Sequence, residues 1–300
     1  MISSGTELKI FKGLFDEAAL DVNIKGMADE VMSYPLAYGY SLVGVVTRCG
    51  KDVADSESLL GKLVFTFSPH SSVTIVDRDA LHIVPDGIRP EDAIFMPSVE
   101  TALSIIHDAH IRPGEKVAIY GQGLIGLLVN QIASQQQVPS SDNGQFGTIT
   151  VFDTISDRLA MASAMGASQA LMPMDALAAG PYDVSIEVSG NFRALQSAID
   201  FTRNGGRVIV GSWYGNTDIN LKLGIDFHRS HKTIKTSQVS DIPAELSTMW
   251  SKDRRFALAW ELVRMLRPSH LITKSVTLDK AQEAYDRLEK GLEIAVSFEY

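Results

Sequence analysis

Cysteine is almost absent from this sequence of 300 residues, in which Cys49 is the only example. One thiol cannot form an intrachain disulfide or supply a cysteine-built metal site. The composition therefore fits a reducing compartment, such as the cytoplasm or an organelle matrix. Apolar runs of about 18 residues, which suggest a membrane span, are also missing. The N-terminus lacks a signal-peptide pattern, so we expect no membrane partner.

An excess of basic residues is missing as well. Lys and Arg number 27 against 36 Asp and Glu, which gives a formal net charge of −9. Nucleic acids and anionic membranes bind basic surfaces, so neither is expected as the main partner. We expect a small-molecule substrate instead. The length suggests about two domains with ample core.

The segment 116–133 contains a strand, a glycine turn and a helix start in the order that dinucleotide binding requires. Val117–Tyr120 is a short apolar run that follows the chain breakers Pro113 and Gly114. The next six residues read GQGLIG, which is the GxGxxG pattern in a strand-turn-helix context. We predict that this turn binds a cofactor pyrophosphate through Gly121, Gly123, Leu124, Ile125 and Gly126.

Each glycine of this motif has its own physical purpose. The first permits a tight turn, the second lets the backbone approach a pyrophosphate, and the third lets the helix pack close to the strand. The helix N-terminus adds free N–H groups and a positive dipole end. Leu127, Leu128 and Ile132 give the helix an apolar face for a sheet. Alone, such a motif is a weak signal, because methyltransferase folds also contain glycine loops.

An acidic residue follows the next predicted strand, Thr148–Phe152. Asp153 at its carboxyl end can accept hydrogen bonds from the hydroxyls of the adenine ribose. A carboxylate there repels a 2′-phosphate, so it favours NAD(H) over NADP(H). The alternative is that Asp153 only caps the predicted helix Ser156–Met165. The wide spacing from Gly126 is explained by the polar segment 135–147, which we interpret as an inserted surface loop.

Strands and helices alternate after the motif. The strand Asp183–Val188 is followed by the helix Phe192–Thr202 and the strands Arg207–Gly211 and Thr233–Val239. This alternation predicts an α/β fold with a doubly wound, Rossmann-type parallel sheet that helices cover on both faces. Further predicted elements are the strands Tyr34–Val46, Leu63–Phe67, Val73–Val76 and Ala295–Glu299 and the helices Pro90–Ala109, Phe256–Leu266 and Leu278–Lys290.

The order of motifs along the chain is similar to that of one known family. In order, the chain reads SGTE from Ser4, YP from Tyr34, Gly39, VGVV from Val43, GQGLIG, EVSG from Glu187, GGRV from Gly205 and LITK from Leu271. This succession resembles the medium-chain dehydrogenase/reductase superfamily, the alcohol-dehydrogenase-like proteins. The resemblance covers nearly the whole chain, and ordered motifs match by chance far less often than one glycine loop.

The resemblance implies two domains with an active site in the cleft between them. A GroES-like, β-rich catalytic domain is expected from residues 1–97 and 241–300, and a Rossmann domain from residues 98–240. The positions that it implies beside the nicotinamide are Thr101, Ser189, Gly190, Gly211, Ser237 and Gln238. Simple strand-end geometry is the alternative explanation of these positions. Trp213 and Tyr214 could line the substrate cleft, although core packing explains them equally well.

The zinc ligands of the family are missing from this sequence. Ser4 stands where zinc-dependent members have a cysteine, and Tyr40 and Ser41 stand where they have a His-Glu pair; Pro97 lies near a further ligand position. Hydroxyls and a proline do not replace thiolate and imidazole as tight Zn²⁺ ligands. No ligand pattern joins carboxylates or thiols to the spaced histidines His107, His110, His228 and His231. We therefore expect no metal, and no zinc in particular.

A carbonyl that accepts hydride still requires a hydrogen-bond donor for its developing oxyanion. Tyr40 and Ser4 occupy the positions of absent ligands, so they are the candidate catalytic residues, together with Thr101. A phenol can donate a hydrogen bond and even a proton, provided that its surroundings adjust its high pKa to the reaction. The alternative is that Tyr40 is a strand aromatic that fills the vacated metal site. Glu7 matches a family acid that bonds within the catalytic domain, so a structural role is expected for it.

Two hypotheses of function follow. The first is an NAD(H)-dependent oxidoreductase that acts without zinc on an alcohol/carbonyl pair or an activated double bond. The second is a non-catalytic NAD(P)-binding pseudoenzyme that serves as a sensor or an interaction module, because the metal ligands and a first pair of family strands are missing. A faint similarity to the branch that contains bacteriochlorophyllide dehydrogenase favours a bulky, apolar substrate. The family resemblance also implies a homodimer.

Overall fold

The computed structural model describes residues 1–15, 33–137, 147–175, 179–224 and 226–300. Most of the predicted loop 135–147 lies outside these residues. None of the helices described has both the length and the apolar character that crossing a bilayer requires. The chain divides into unit 1, which comprises Met1–Val99, Ser240–Ile242 and Met249–Tyr300, and unit 2, which comprises Glu100–Val239 and Pro243–Thr248.

The described strands and helices follow in chain order. The strands are β1 (Ile2–Ser3), β2 (Leu42–Val45), β3 (Leu63–Thr66), β4 (Leu81–Ile83), β5 (Val117–Tyr120), β6 (Ile149–Phe152), β7 (Gln169–Leu171), β8 (Tyr182–Glu187), β9 (Thr202–Val210), β10 (Thr233–Thr236), β11 (Ile272–Thr277) and β12 (Ala295–Glu299). The helices are α1 (Thr6–Phe11), α2 (Ser56–Leu59), α3 (Pro90–Ala93), α4 (Met96–Ala109), α5 (Leu124–Gln136), α6 (Ser156–Ala164), α7 (Phe192–Phe201), α8 (Asp226–Arg229), α9 (Lys252–Leu266) and α10 (Ala281–Glu289).

Unit 2 is built on a six-stranded sheet with the spatial order β10-β9-β8-β5-β6-β7, in which all pairs are parallel. The chain proceeds outward from β5 to β6 and β7 and then places β8 on the other side of β5. In open α/β sheets, ligands bind outside the carboxyl ends of the strands at such a switch point. The predicted α/β class with a doubly wound parallel sheet is confirmed.

The register brings three strand ends to one edge of this sheet. Tyr120, the last residue of β5, lies opposite Phe152 on one side and opposite Glu187 on the other. Every residue of β5 and β6 is buried, as expected for parallel strands that helices cover on both faces. The rings of Tyr120 and Phe152 stack with centroids 4.8 Å apart. Such dense packing fixes the positions of the residues that follow the strands.

Unit 1 contains two three-stranded sheets. Strands β2, β3 and β4 form an antiparallel sheet. In the other sheet, β12 lies between β1 and β11, antiparallel to the first and parallel to the second. Phe65 of β3 packs edge to face against Trp260 of α9. Because β1 pairs with β12, residues from both ends of the chain build unit 1.

The predicted elements of unit 1 are corrected in two places. The predicted strand Val73–Val76 is wrong, because Val73 and Ile75 are 78% and 96% exposed and their segment pairs with no strand among the described residues. β-branched side chains favour a strand only where neighbours pack against them. The predicted strand Tyr34–Val46 is a strand only over Leu42–Val45. Pro35 has no N–H for a ladder, and Gly39 has a φ of +135° that ends extended pairing.

Candidate functional site

The glycine turn lies at the switch point of the parallel sheet. Gly121 follows β5 with a φ of +100°, in the region that favours glycine. A Cβ on Gly121 would lie 2.7 Å from the Cα of Ser189, which follows β8 shortly after its end. The backbones after β5 and β8 therefore approach each other so closely that a side chain at position 121 does not fit.

The third glycine lets α5 begin close against this turn. A Cβ on Gly126 would lie 1.9 Å from the carbonyl oxygen of Gly121. Gly123 is the N-cap of α5, and the helix proper begins at Leu124. The first N–H groups of a helix, here including those of Leu124 and Ile125, have no intrahelical acceptor. The turn therefore presents backbone N–H groups of the kind that bind phosphate groups.

Asp153 directly follows β6 and faces the same turn. Its Oδ2 accepts a hydrogen bond from the backbone N–H of Gln122 at 2.6 Å, and its Oδ1 accepts one from the N–H of Ile155 at 2.9 Å. The carboxylate thus joins the glycine turn to the segment that starts α6. Each carboxylate oxygen has a further lone pair, so both can still accept a hydrogen bond from a ribose hydroxyl.

A buried carboxylate organises the loop after β8. Glu187 is fully buried, and its Oε1 accepts hydrogen bonds from the N–H and hydroxyl of Ser189, both at 2.7 Å, and from the N–H of Gly190 at 3.0 Å. Its Oε2 accepts one from the hydroxyl of Tyr214 at 2.8 Å. Burial, and then the charge of Glu187, raises the pKa of Tyr214. The phenol therefore stays protonated and keeps donating to Glu187.

The end of β9 is tied to the same loop. The N–H of Gly211 donates to the carbonyl oxygen of Glu187 at 2.9 Å. The N–H of Gly190 also donates to the hydroxyl of Ser212 at 2.8 Å. A Cβ on Gly211 would lie 2.7 Å from Cδ1 of Ile105. The predicted nicotinamide positions Ser189, Gly190 and Gly211 are therefore brought together at one edge of the sheet.

Ser237 follows β10 and contacts α4. Its hydroxyl donates to Oδ2 of the buried Asp108 at 2.7 Å. Nζ of Lys235 lies 2.8 Å from the other oxygen of Asp108 and also pairs with Glu245. The hydroxyl proton of Ser237 is therefore used in the hydrogen bond to Asp108, and the hydroxyl oxygen can still accept hydrogen bonds through its lone pairs. Thr101 is half-buried and lies about two helical turns before Asp108 on α4.

The catalytic candidate of unit 1 is Tyr40, which lies just before β2. Its hydroxyl is hydrogen-bonded to the side chain of Ser3, the residue that precedes the catalytic candidate Ser4. Burial, and then the charge of Glu7, raises the pKa of Tyr40 well above its ordinary value of 10.0. The phenol is therefore protonated at neutral pH and able to donate a hydrogen bond.

The residues at the zinc-ligand positions do not fit a zinc ion. Ser41 is buried, and its hydroxyl donates to the carbonyl oxygen of Ile94. Ser4, Tyr40 and Pro97 offer no thiolate or imidazole, which tight zinc sites require. Across the described parts of the chain, no three His, Cys, Asp or Glu side chains group in a way that could hold a metal ion.

Comparison with known proteins agrees with this geometry. A family model described as "Zinc-binding dehydrogenase" matches residues 125–253. D-guloside 3-dehydrogenase of Escherichia coli K12 is 26% identical over 279 residues, which span 87% of this chain and 77% of that protein. These matches are to dehydrogenases, as expected for a chain that resembles the medium-chain dehydrogenase/reductase superfamily. The predicted resemblance is thus confirmed, although the residues at the metal-ligand positions of this chain do not match the family description.

Two solved structures are similar in fold to this chain. The short chain alcohol dehydrogenase of E. coli CFT073, solved with its cofactor NADH, has a TM-score of 0.68 and 15% identity and covers 87% of this chain and 83% of its own. A Sinorhizobium meliloti 1021 protein assigned as a zinc-binding dehydrogenase was solved bound to NADP. It has a TM-score of 0.70 and 18% identity, with 95% of this chain and 84% of its own covered. Both likenesses concern the fold alone.

The sequence signals do not identify Glu187, Ser3 or His70 as site residues. The burial of Glu187 at a strand end is a usable signal, because a buried carboxylate requires several donors. No local pattern joins His70 to Glu7, which lies 63 residues away in sequence yet within hydrogen-bond distance. Ser3 is the last residue of β1 and directly precedes the predicted Ser4, so the sequence alone does not show which of the two serines bonds to Tyr40.

Proposed function

We propose that this protein is an NAD(H)-dependent oxidoreductase that transfers hydride on an alcohol/carbonyl pair or an activated double bond. The relatives support the class of reaction, because they are named as dehydrogenases. The observation that carries the proposal is the glycine turn joined to Asp153 at the switch point of the sheet. Glycine at 121 and 126 keeps the turn bare, and the carboxylate provides the acceptor that a ribose requires.

The cofactor is assigned to residues of unit 2. The backbone around Gly123 and Leu124 would hold the pyrophosphate, and Asp153 would hold the adenine ribose. The nicotinamide is assigned to Thr101, Ser189, Gly190, Gly211 and Ser237. When bound, the cofactor supplies or accepts the hydride. A negative charge at Asp153 disfavours a 2′-phosphate, so we propose a preference for NAD(H) over NADP(H).

Tyr40 is the proposed donor to the substrate oxygen. Its phenol is protonated because burial and Glu7 raise its pKa, and the bond to Ser3 fixes its orientation. A donor placed where negative charge develops contributes about 10²–10³ in rate. Ser4 and Thr101 are secondary candidates for the same role. Neutral oxygens at the zinc positions support a reaction without zinc, so no step is derived through a metal.

The substrate is proposed to be a small molecule with a secondary hydroxyl or a ketone. The name of D-guloside 3-dehydrogenase points to a hydroxyl on a sugar ring. The sequence similarity to the bacteriochlorophyllide branch points instead to a bulky, apolar alcohol. We also propose a substrate-binding domain over 1–97 and 241–300, a cofactor domain over 98–240, and a homodimer, which light scattering of the purified protein tests.

The experiment is steady-state turnover with the purified protein. Sugars, polyols and bulky secondary alcohols are offered with NAD⁺, and the matching ketones are offered with NADH. We expect turnover that a chelator does not abolish, with no stoichiometric zinc by elemental analysis. Tyr40→Phe is expected to lower kcat by about 10²–10³ while NADH still binds. Tyr34→Phe, at an exposed tyrosine of the same unit, serves as the control.

Two outcomes would contradict parts of this proposal. Loss of turnover with the chelator, restored by added zinc, would overturn the zinc-independent reaction. Tight NADH binding without turnover of any substrate would favour the pseudoenzyme, which uses the same cofactor site as a sensor or interaction module.

A further inference from the structure

A buried carboxylate and a histidine form a pair beside Tyr40 in unit 1. Glu7 on α1 is 2% exposed, and its Oε1 lies 2.7 Å from Nε2 of His70. The imidazole is also largely buried, with 11% of its side-chain surface exposed. A buried carboxylate requires hydrogen-bond partners for its oxygens, and His70 provides one for Oε1.

The other oxygen of Glu7 is unsatisfied. Within the described ranges of the chain, no group donates a hydrogen bond to Oε2 of Glu7. A buried charged acceptor without a donor is costly, so such a group in a folded protein requires an explanation. A ligand hydroxyl would supply the missing donor. Oε2 is itself buried, so an alcohol reaches it only after the groups that cover it move aside.

The backbone fixes His70 against the segment that leads to Tyr40. The N–H of His70 donates to the carbonyl oxygen of Tyr38 at 3.1 Å. A Cβ on Gly39 would lie 2.8 Å from the backbone N of His70 and 3.0 Å from its Cδ2. The imidazole also packs edge-on against Phe298, with ring centroids 5.1 Å apart. The ring is therefore held against Gly39, the residue that precedes Tyr40.

The chemistry of the neighbouring groups selects this pair as a base. Oxidation of an alcohol without a metal requires a group that takes the hydroxyl proton. Tyr40 is protonated because burial and Glu7 raise its pKa, so it donates a hydrogen bond rather than removing a proton. The ionisable groups that interact with Glu7 are His70, Tyr40, Tyr285, Tyr300 and the α-amino group of Met1. The tyrosines in this set are also weak acids with raised pKa values.

We propose that Glu7 and His70 act together as the general base that removes the hydroxyl proton of the substrate alcohol. The inference rests on the proposed function, in which the oxidised nicotinamide cofactor accepts the hydride. The O–H bond breaks, and its proton moves to Oε2 of Glu7. The electron pair of the broken O–H bond forms the second bond of the carbonyl group. The electron pair of the C–H bond leaves with its hydrogen as the hydride. In reduction the same proton returns to the carbonyl oxygen.

The test measures kcat for alcohol oxidation as a function of pH, together with the solvent deuterium isotope effect. Glu7→Gln is expected to lower kcat by about 10² or more, with NADH affinity and Tm little changed. His70→Asn is expected to shift the pH profile with a smaller loss of kcat. Formate is expected to restore part of the activity of Glu7→Ala, as a merely structural role would not allow. Glu57→Gln and His270→Asn, at exposed positions of unit 1, are the controls.

A second readout does not depend on turnover. The charge of Glu7 contributes to the raised pKa of Tyr40, so Glu7→Gln is expected to lower the pKa of that phenol. Phenolate absorbance, compared with a Glu7→Gln/Tyr40→Phe double variant, isolates the titration of Tyr40. An unchanged titration would show that Glu7 does not face Tyr40 and would overturn the inference.

The outcomes separate this inference from the proposed function. If the wild type oxidises alcohols, and both Glu7→Gln and His70→Asn keep its pH profile and its kcat, the inference is overturned and the proposed function stands. NADH binding by the wild type with no turnover of any alcohol, ketone or activated double bond would overturn both. Should Glu7→Gln fail to fold, rescue of His70→Ala by added imidazole decides, because absence of rescue overturns the inference.

Discussion

The backbone N–H of Gln122 lies 2.6 Å from Oδ2 of Asp153, which joins the glycine turn after β5 to the end of β6. The two residues are 31 positions apart in sequence. Pairing of β5 with β6 in parallel register makes the contact possible, because it brings both strand ends to the same edge. The carboxylate that would bind a ribose is thus held by the turn that would bind the pyrophosphate.

Asp153→Asn tests the role of this carboxylate. The amide removes the charge and one strong acceptor, so NADH affinity is expected to fall by about 10- to 100-fold, or about 1.4–2.8 kcal/mol. NADPH affinity is expected to fall less, because repulsion of the 2′-phosphate is also removed. Fluorescence titration with both cofactors measures this, with Asp157→Asn on the exposed side of α6 as control. Unchanged NADH affinity would show that Asp153 does not contact the cofactor.

Gly121→Ala tests the close approach at the switch point, and Gly114→Ala is its matched control. Both glycines have positive φ, at +100° and +91°, so both variants bear a backbone strain of about 1–3 kcal/mol. Only the Cβ at 121 meets Ser189, whereas nothing lies within 4 Å of the one at 114. The free energy of unfolding is expected to fall by about 1–3 kcal/mol more in Gly121→Ala than in Gly114→Ala. Gly121→Ala is also expected to lose NADH binding. Equal urea denaturation curves for the two variants would contradict the predicted clash.

Tyr214→Phe tests the network around Glu187. Loss of the donor at 2.8 Å leaves Oε2 of a buried carboxylate unsatisfied, so the free energy of unfolding is expected to fall by about 1–3 kcal/mol. Tyr120→Phe is the control, because the hydroxyl of Tyr120 is buried and has no hydrogen-bond partner among the residues that the structure describes. That variant is expected to be as stable as the wild type or more so. Equal losses in the two variants would mean that the bond to Glu187 adds nothing.

Glu115 provides a pH-dependent contribution to the stability of unit 2. Burial acts to raise its pKa, but paired hydrogen bonds from Arg207 and the N–H of Arg112 lower it below the ordinary value of 4.5. A lowered pKa in the folded state gives stability that is present above about pH 4.5 and is lost as the pH falls through the folded-state value. Glu115→Gln is expected to be destabilised by about 1–3 kcal/mol at pH 7.

Thermal unfolding across the acid range checks the direction of this effect. The difference in Tm between the wild type and Glu115→Gln is expected to shrink as the pH is lowered below about 4.5. Glu57→Gln, at an exposed position, is expected to show no such trend. A difference that stays constant down to the acid limit would show that the charge of Glu115 does not contribute.

The central strands of unit 2 could be predicted from sequence because β5 and β6 are buried throughout and β8 nearly so. Val117–Tyr120 is a continuous apolar run and Thr148–Phe152 is rich in β-branched residues, and the structure confirms both strands with at most one residue of shift. Val73–Val76 has similar β-branched residues but is exposed, so composition without a partner strand misled the prediction.

The glycine and acidic positions of the site follow from local motifs, whereas its hydrogen-bond partners do not. Gly121 and Asp153 each belong to a pattern a few residues long. The pairing of Glu7 with His70 depends on how distant segments of unit 1 meet, and no spacing in the sequence encodes it. Tyr214 likewise reaches Glu187 over 27 residues, through the neighbouring ends of β8 and β9.

The most direct test of the central claim is titration of the purified protein with NADH, followed by nicotinamide fluorescence and Tm. We predict saturable binding of one NADH per chain, a rise in Tm, competition by ADP-ribose, and loss of all three effects in Gly121→Ala but not in Gly114→Ala. Fluorescence and Tm that NADH leaves unchanged in the wild type would contradict the assignment of residues 117–126 and Asp153 to a dinucleotide.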